Sequence, residues 1–177
     1  MTNITQQSTL ADAVLLSRML LERYLAGFDD TNHTRQAPGL PNHAAWNLGH
    51  LALTMHRVAA MFDGAPMPEA DLRAGDAHDR TPTHFWTESI AFGSAPTADA
   101  ARYPAWIRCR EIFAGACERL ASVTRSASDE KLASLVPWGG TQVTLGALVA
   151  RMTFHNGMHA GQIADLRRAL GLKSIFA

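Results

Sequence analysis

The chain has 177 residues, 47% of them hydrophobic, with 16 basic residues balanced by 16 acidic ones. That composition suits a single domain over residues 1–177 with one sizeable core and excludes a disordered chain. A formal charge of zero gives no global field to draw nucleic acid or an anionic membrane, so neither is expected as a partner.

No run approaches the roughly 18 apolar residues of a membrane span, and no cationic N-terminus leads into a long apolar segment. A cytoplasmic protein is the expectation. Four segments carry a helical period, with breakers between them. Thr9 is read as the cap of a first helix to about Phe28, with Ala13, Leu16, Leu20 and Tyr24 among its apolar positions, ended by Gly27 and the polar DDTNHTR stretch. Pro41 and Asn42 begin a second helix through Leu48, Leu51, Met55, Val58 and Phe62, stopped by Asp63 and Gly64. Residues 63–97 then read as a long crossover punctuated by Pro66, Pro68, Pro82 and Pro96, with a short helical piece around His84 to Ile90.

A third helix is predicted from near Thr97 to Val123, packing Trp106, Ile107, Ile112, Phe113 and Leu120, with Pro104 able to delay or kink its start. SASDEKL reads as a short helical turn and VPWGGTQVT as a connection with extended propensity. Thr144 caps the fourth helix, Leu145 to about Leu170, which Gly171 closes. Four long apolar helices without convincing strand pairs predict an all-α four-helix bundle whose long crossover joins helices 2 and 3. The nearly all-round apolar second helix also predicts surface left over for a homodimer.

Cys109 and Cys117 are eight apart in a helical pattern, about 12 Å along the axis, beyond the reach of a disulfide. They read as small, reduced, buried residues.

His155 and His159 stand four residues apart in FHNGMHAGQIADLRRALGL, which stacks two imidazoles on one helix face. At about 100° per residue they share a stripe about 80° wide with Leu148, Met152, Gln162 and Leu166, so the ligand face is a core face. His50, in AAWNLGHLALTMHR, is the best third ligand; it lies at the margin of its helix's apolar stripe, beside Trp46, Thr54 and Arg57. Asn156 stands where a zinc protease motif would carry its glutamate, which disfavours a metalloprotease.

The WNLGHL and HNGMHAGQIADLRRALGL segments resemble the two signatures of the DinB superfamily of metal-binding four-helix proteins, a resemblance spanning nearly the whole chain. It implies a DinB-like bundle with a divalent metal held by His50, His155 and His159 and positions left open to water or substrate. Some relatives are thiol-cofactor-dependent transferases or isomerases, others are metal-binding parts of larger oxidative enzymes, and fold analogy does not choose among them.

Three neutral imidazoles leave the charge of the ion uncompensated, so an open site of this kind acidifies a bound water or thiol; zinc, nickel and iron all accept imidazole. Gln162, one turn beyond His159, is a candidate for orienting a bound group, and Arg151 with Arg57 for pairing an anionic substrate group. His43 belongs near the pocket mouth or the helix start. His33, His56, His78 and His84 are expected on the solvated surface, and Trp138 either walls the pocket or packs a loop on the core. The leading expectation is a metal-dependent enzyme that activates a thiol, or less readily a water, for transfer to a small electrophilic substrate; the alternative is a metal-binding or interaction domain without turnover.

Overall fold

A computed structural model describes residues 4–75 and 80–175. Its frame is four long helices: α1 (Gln6–Tyr24), α2 (Ala44–Asp63), α4 (Trp106–Arg125) and α6 (Leu145–Ala169). α1 packs on α4 and α6, and α2 on the same two, so the helices close a ring around one core. The four-helix bundle with its long crossover stands as predicted.

Helix ends follow local chemistry that the apolar period does not report. α1 begins at Gln6 rather than beyond Thr9, because Thr5 and Ser8 form a reciprocal capping box: Ser8 N–H donates to Thr5 Oγ1 at 3.1 Å and Thr5 N–H to Ser8 Oγ at 2.9 Å. It ends at Tyr24, short of Phe28, and buries Ala11, Val14 and Leu21, leaving Leu16 and Leu20 exposed.

α4 starts at Trp106, nine residues later than predicted. Pro104 holds Tyr103 extended at φ −124° and ψ 156°, so only a 3-10 turn, Ala100–Arg102, forms before it. The true start is capped from a distance, where Asp30 Oδ1 accepts the Trp106 amide at 2.6 Å. Ile107, expected in the core, is 60% exposed.

Two short strand pairs correct the expectation of none. β3 (Leu135–Trp138) and β4 (Thr141–Thr144) form an antiparallel hairpin over PWGGTQ, and its two-residue turn needs positive φ at both central positions, which Gly139 (59°) and Gly140 (80°) supply. Between them and α4, α5 (Asp129–Ala133) is the short helix that SASDEKL predicts. Trp138 is half-buried against the core.

The second pair lies in the crossover, where β1 (Leu72–Arg73) runs parallel to β2 (Phe85–Trp86) ahead of the single turn α3 (Thr87–Ile90). This crossover seats Leu72, Phe85 and Ile90 in the core. As a result, α2 is buried at every position from Ala44 to Ala59 except Arg57. The apolar surface from which the sequence predicted a homodimer is thus covered by the chain itself.

Contact here is closest at Gly49: a Cβ there would lie 2.8 Å from Phe85 Cδ1 and 3.0 Å from Ile90 Cγ2. Polar bonds fasten the other flank. Arg119 holds Asp63 at 2.9 Å and the Ala65 carbonyl at 2.8 Å, and Arg108 holds Asp71 at 2.5 Å and the Thr83 carbonyl at 3.0 Å.

Three histidines expected in solvent lie inside this packing. His56 is buried with its Nδ1 3.3 Å from Arg119 Nη1, His84 packs edge-on to Trp86 at 4.8 Å, and His33 tilts against Trp106 at 6.0 Å. His56 lies on the face of α2 that the crossover covers, and His33 and His84 sit on segments that fold back on a helix, which no period in the sequence announces. His78 lies outside the described residues.

Candidate metal centre

The site forms where α2 and α6 cross, and the first facts about it are steric. The two helices run antiparallel: Asn42 Nδ2 donates to Gln162 Oε1 at 3.3 Å, Asn47 meets His159, and His50 meets His155. His50 projects from the margin of α2 between Trp46 and the crossover, while His155 and His159 project one turn apart from α6.

The three rings converge. Ring centroids are 5.2 Å apart for His50 with each of the other two and 4.6 Å for His155 with His159. One ligand nitrogen from each lies within 4.8 Å of the others, and the Nε2 atoms of His155 and His159 are 3.1 Å apart. Two imidazole nitrogens bound to one ion at about 2.0–2.1 Å stand roughly 3 Å apart, so the spacing fits.

Two of the rings have their proton assigned by their neighbours. Ile90 O lies 2.9 Å from His50 Nδ1, and a carbonyl only accepts, so Nδ1–H donates and Nε2 keeps its lone pair. Asn47 does the same for His159. Its Nδ2 donates to the His43 carbonyl at 3.0 Å and the Asn42 carbonyl at 3.3 Å, which turns Oδ1 toward His159 Nδ1 at 2.5 Å. His159 therefore presents its Nε2 lone pair as well. His155 Nδ1 is buried without a hydrogen-bond partner among the described residues.

All three imidazoles are held neutral. Burial lowers His50 below the ordinary imidazole value, with the Arg57 charge adding to the effect. Burial, then the nearby His50 and Arg151, brings His155 down to about 4. His159, the deepest of the three, is lowered to about 3 by burial and by its two partners, against which the Gln162 amide works slightly. Converging lone pairs in a dry site repel one another. A cation between them removes that repulsion, and three neutral imidazoles are a donor set that zinc, nickel and iron accept.

The other expected residues divide. Gln162 is half-buried beside His159 and bonded to Asn42, so it borders the cluster at the end nearer the start of α2. Arg151 is exposed, one turn before His155, at the opposite end. His43 is the N-cap of α2, its Nδ1 accepting from the Trp46 amide at 3.1 Å, which settles it at the helix start. Trp138 sits in the hairpin that leads into α6, packed on the core.

Sequence reasoning gave no role to Trp46, Asn47 or Ile90. Trp46 stacks on His50 at 4.8 Å and 5° between planes, pinned by its Nε1–H donating to Ser94 Oγ at 2.9 Å. The one signal for Asn47 was a polar residue on a helix apolar all round, where a buried amide needs partners. Nothing in the sequence marked Ile90, since it acts through its carbonyl.

Among curated proteins none matches the chain. Among solved structures, the fold superposes on the crystal structure of a conserved protein from Enterococcus faecalis with a TM-score of 0.70, covering 96% of this chain and 99% of that one at 15% sequence identity. At that identity the likeness establishes the fold alone. The sequence profile of the DinB superfamily matches residues 13–163, from the first turns of α1 past His50 of α2 and both histidines of α6, and the chain belongs to that superfamily.

Proposed function

We propose that the protein is a divalent-metal-dependent enzyme in which His50, His155 and His159 hold the ion and a thiol, or less readily a water, is activated for transfer to a small electrophilic substrate. The observation that carries this reading is the all-neutral donor set: three imidazoles whose ligand nitrogens lie within 4.8 Å, with no carboxylate among them. A divalent ion in such a site keeps its charge uncompensated and lowers the pKa of a coordinated thiol or water. Thiol transfer itself comes from likeness to relatives.

The chain's own residues then have separable tasks. Ile90 O and Asn47 Oδ1 keep the protons of His50 and His159 on Nδ1, away from the ligand side. Trp46 covers one face of His50 and excludes water from it. Gln162, bonded to Asn42, offers an amide beside His159 that can orient a bound group. A rival reading, metal binding without turnover, draws on the same observation, because the cluster brings no carboxylate to act as acid or base.

The test is elemental analysis of protein purified aerobically and anaerobically, followed by a screen of low-molecular-weight thiols against electrophiles. About one divalent ion per chain is expected, falling sharply in each of His50→Ala, His155→Ala and His159→Ala. Undiminished occupancy in any one variant removes that residue from the ligand set, and turnover that is indifferent to metal removal overturns the catalytic reading.

A further inference from the structure

Arg57 interrupts an otherwise closed surface. From Ala44 to Ala59 every residue of α2 is buried but this one. Exposure rises toward it along one face of the helix: Trp46 is 5% exposed, His50 and Thr54 are each 8%, and Arg57 is exposed. The crossover therefore covers His50 and leaves the same face of α2 exposed at Arg57.

Antiparallel register brings a second arginine to the same opening. With Asn42 beside Gln162, Asn47 on His159 and His50 on His155, continuing the pairing sets Thr54 level with Arg151. Arg57 then lies three residues further along, about 4.5 Å from that level. Side chains on a helix lean toward its N-terminus. Arg57 thus leans back toward His50, and Arg151 leans away from His155 toward the level of Arg57, which sets both arginines at the same end of the histidine cluster.

Neither charge is paired among the described residues. Arg18, Arg80, Arg108, Arg119, Arg125 and Arg168 each hold a carboxylate. Arg57 and Arg151 hold none among the described residues. Two guanidinium groups without an ion-pair partner among the described residues, from the two helices that supply the histidines and next to a cluster with no carboxylate among the described residues, form a field for an anion.

We infer that Arg57 and Arg151 form a carboxylate-binding pair at the exposed end of the histidine cluster, and that the thiol or substrate of this site carries an anionic group a few bonds from its metal-binding atom. The inference rests on the metal reading above. Its test uses the cobalt(II)-loaded protein and two probes of equal size, 3-mercaptopropionate and its neutral analogue 3-mercaptopropionamide, with binding followed by sulfur-to-cobalt charge-transfer absorption.

Exposed arginine contacts are individually small, so two together are expected to make the acid bind about five- to tenfold more tightly than the amide at low salt. In Arg57→Gln with Arg151→Gln the preference should fall to about twofold or less while the amide binds as before, and Arg57→Lys with Arg151→Lys should restore part of it. Loss of the preference at high ionic strength belongs with the same outcome. A preference that survives the double Gln variant means that the carboxylate is held by the metal or elsewhere and overturns the inference, as does equal affinity of the two probes in the parent protein. Failure to take up cobalt, measured first by elemental analysis, removes the metal reading and this inference with it; cobalt bound without charge preference removes the inference alone.

Discussion

Asn47 offers the sharpest test of how the site is built. Its side chain is fully buried and makes three hydrogen bonds, donating to the carbonyls of Asn42 and His43 and accepting from His159 Nδ1 at 2.5 Å. Asn47→Leu keeps the volume and removes the acceptor. His159 Nδ1–H is then buried without a partner, at about 1–3 kcal/mol, unless the proton moves to Nε2, the atom that faces the other two histidines. Either outcome weakens metal binding, by about 10- to 100-fold, the usual effect of losing the group that orients a ligating imidazole. Asn47→Asp separates the two tasks of the residue. It keeps an acceptor for His159 and loses both donors, setting a carboxylate against two carbonyl oxygens, so it should cost stability while largely preserving affinity. Competition with a chromophoric chelator gives the zinc affinity and thermal unfolding gives the stability. Zinc binding by Asn47→Leu as tight as in the parent, or an equal loss in both variants, would refute the claim that this amide acts by fixing a tautomer.

Gly49→Ala places a Cβ 2.8–3.0 Å from Phe85 and Ile90, buried side chains that cannot easily retreat. Overpacking of this kind costs about 1–3 kcal/mol, or about 2–12 °C in Tm for a chain of this size, and an unchanged Tm would show that the crossover does not seat there. Acid should unfold the metal-free protein early. His43 and His56 are lowered to about 4 and His159 to about 3, chiefly by burial, whereas in the unfolded chain all three titrate near 6.5. Because the unfolded state takes up their protons first, stability is full above about pH 6.5 and is lost as the pH falls from there toward 4, by up to roughly 3 kcal/mol for each histidine. A Tm that stays level from pH 7 to pH 4.5 would contradict burial of these histidines in neutral form.

The long-period features of this chain were legible because they repeat. Four long helices, the His155–His159 spacing and the Thr144 cap each follow from helix geometry, and the structure places them as read. What escaped the sequence acts across long separations or through the backbone. Asp30 caps α4 from 76 residues away, and Ile90 reaches His50 from 40 residues away through a carbonyl that any residue type possesses. The buried face of α1 and one position of α4 were misread for a related reason. Leu16, Leu20 and Ile107 are apolar yet exposed, and periodicity alone does not distinguish an apolar residue that packs from one that does not.

The histidines expected in solvent share one cause with the parts of the site that went unseen. The crossover between α2 and α4 was read as a connection, whereas it is a wall. It buries Phe85 and Ile90 against Gly49, encloses His56 and His84, supplies Ile90 O to His50 and supplies Ser94 to Trp46. Four residues of WNLGHL consequently face different partners within two helical turns: Trp46 covers His50, Asn47 orients His159, Gly49 admits the crossover and His50 points at the α6 pair. A helix buried nearly all round can carry a polar ligand at its margin only if something outside the bundle covers that margin and satisfies its remaining nitrogen. The crossover does both, burying the margin of α2 from Trp46 to Thr54 and leaving Arg57 beyond it exposed.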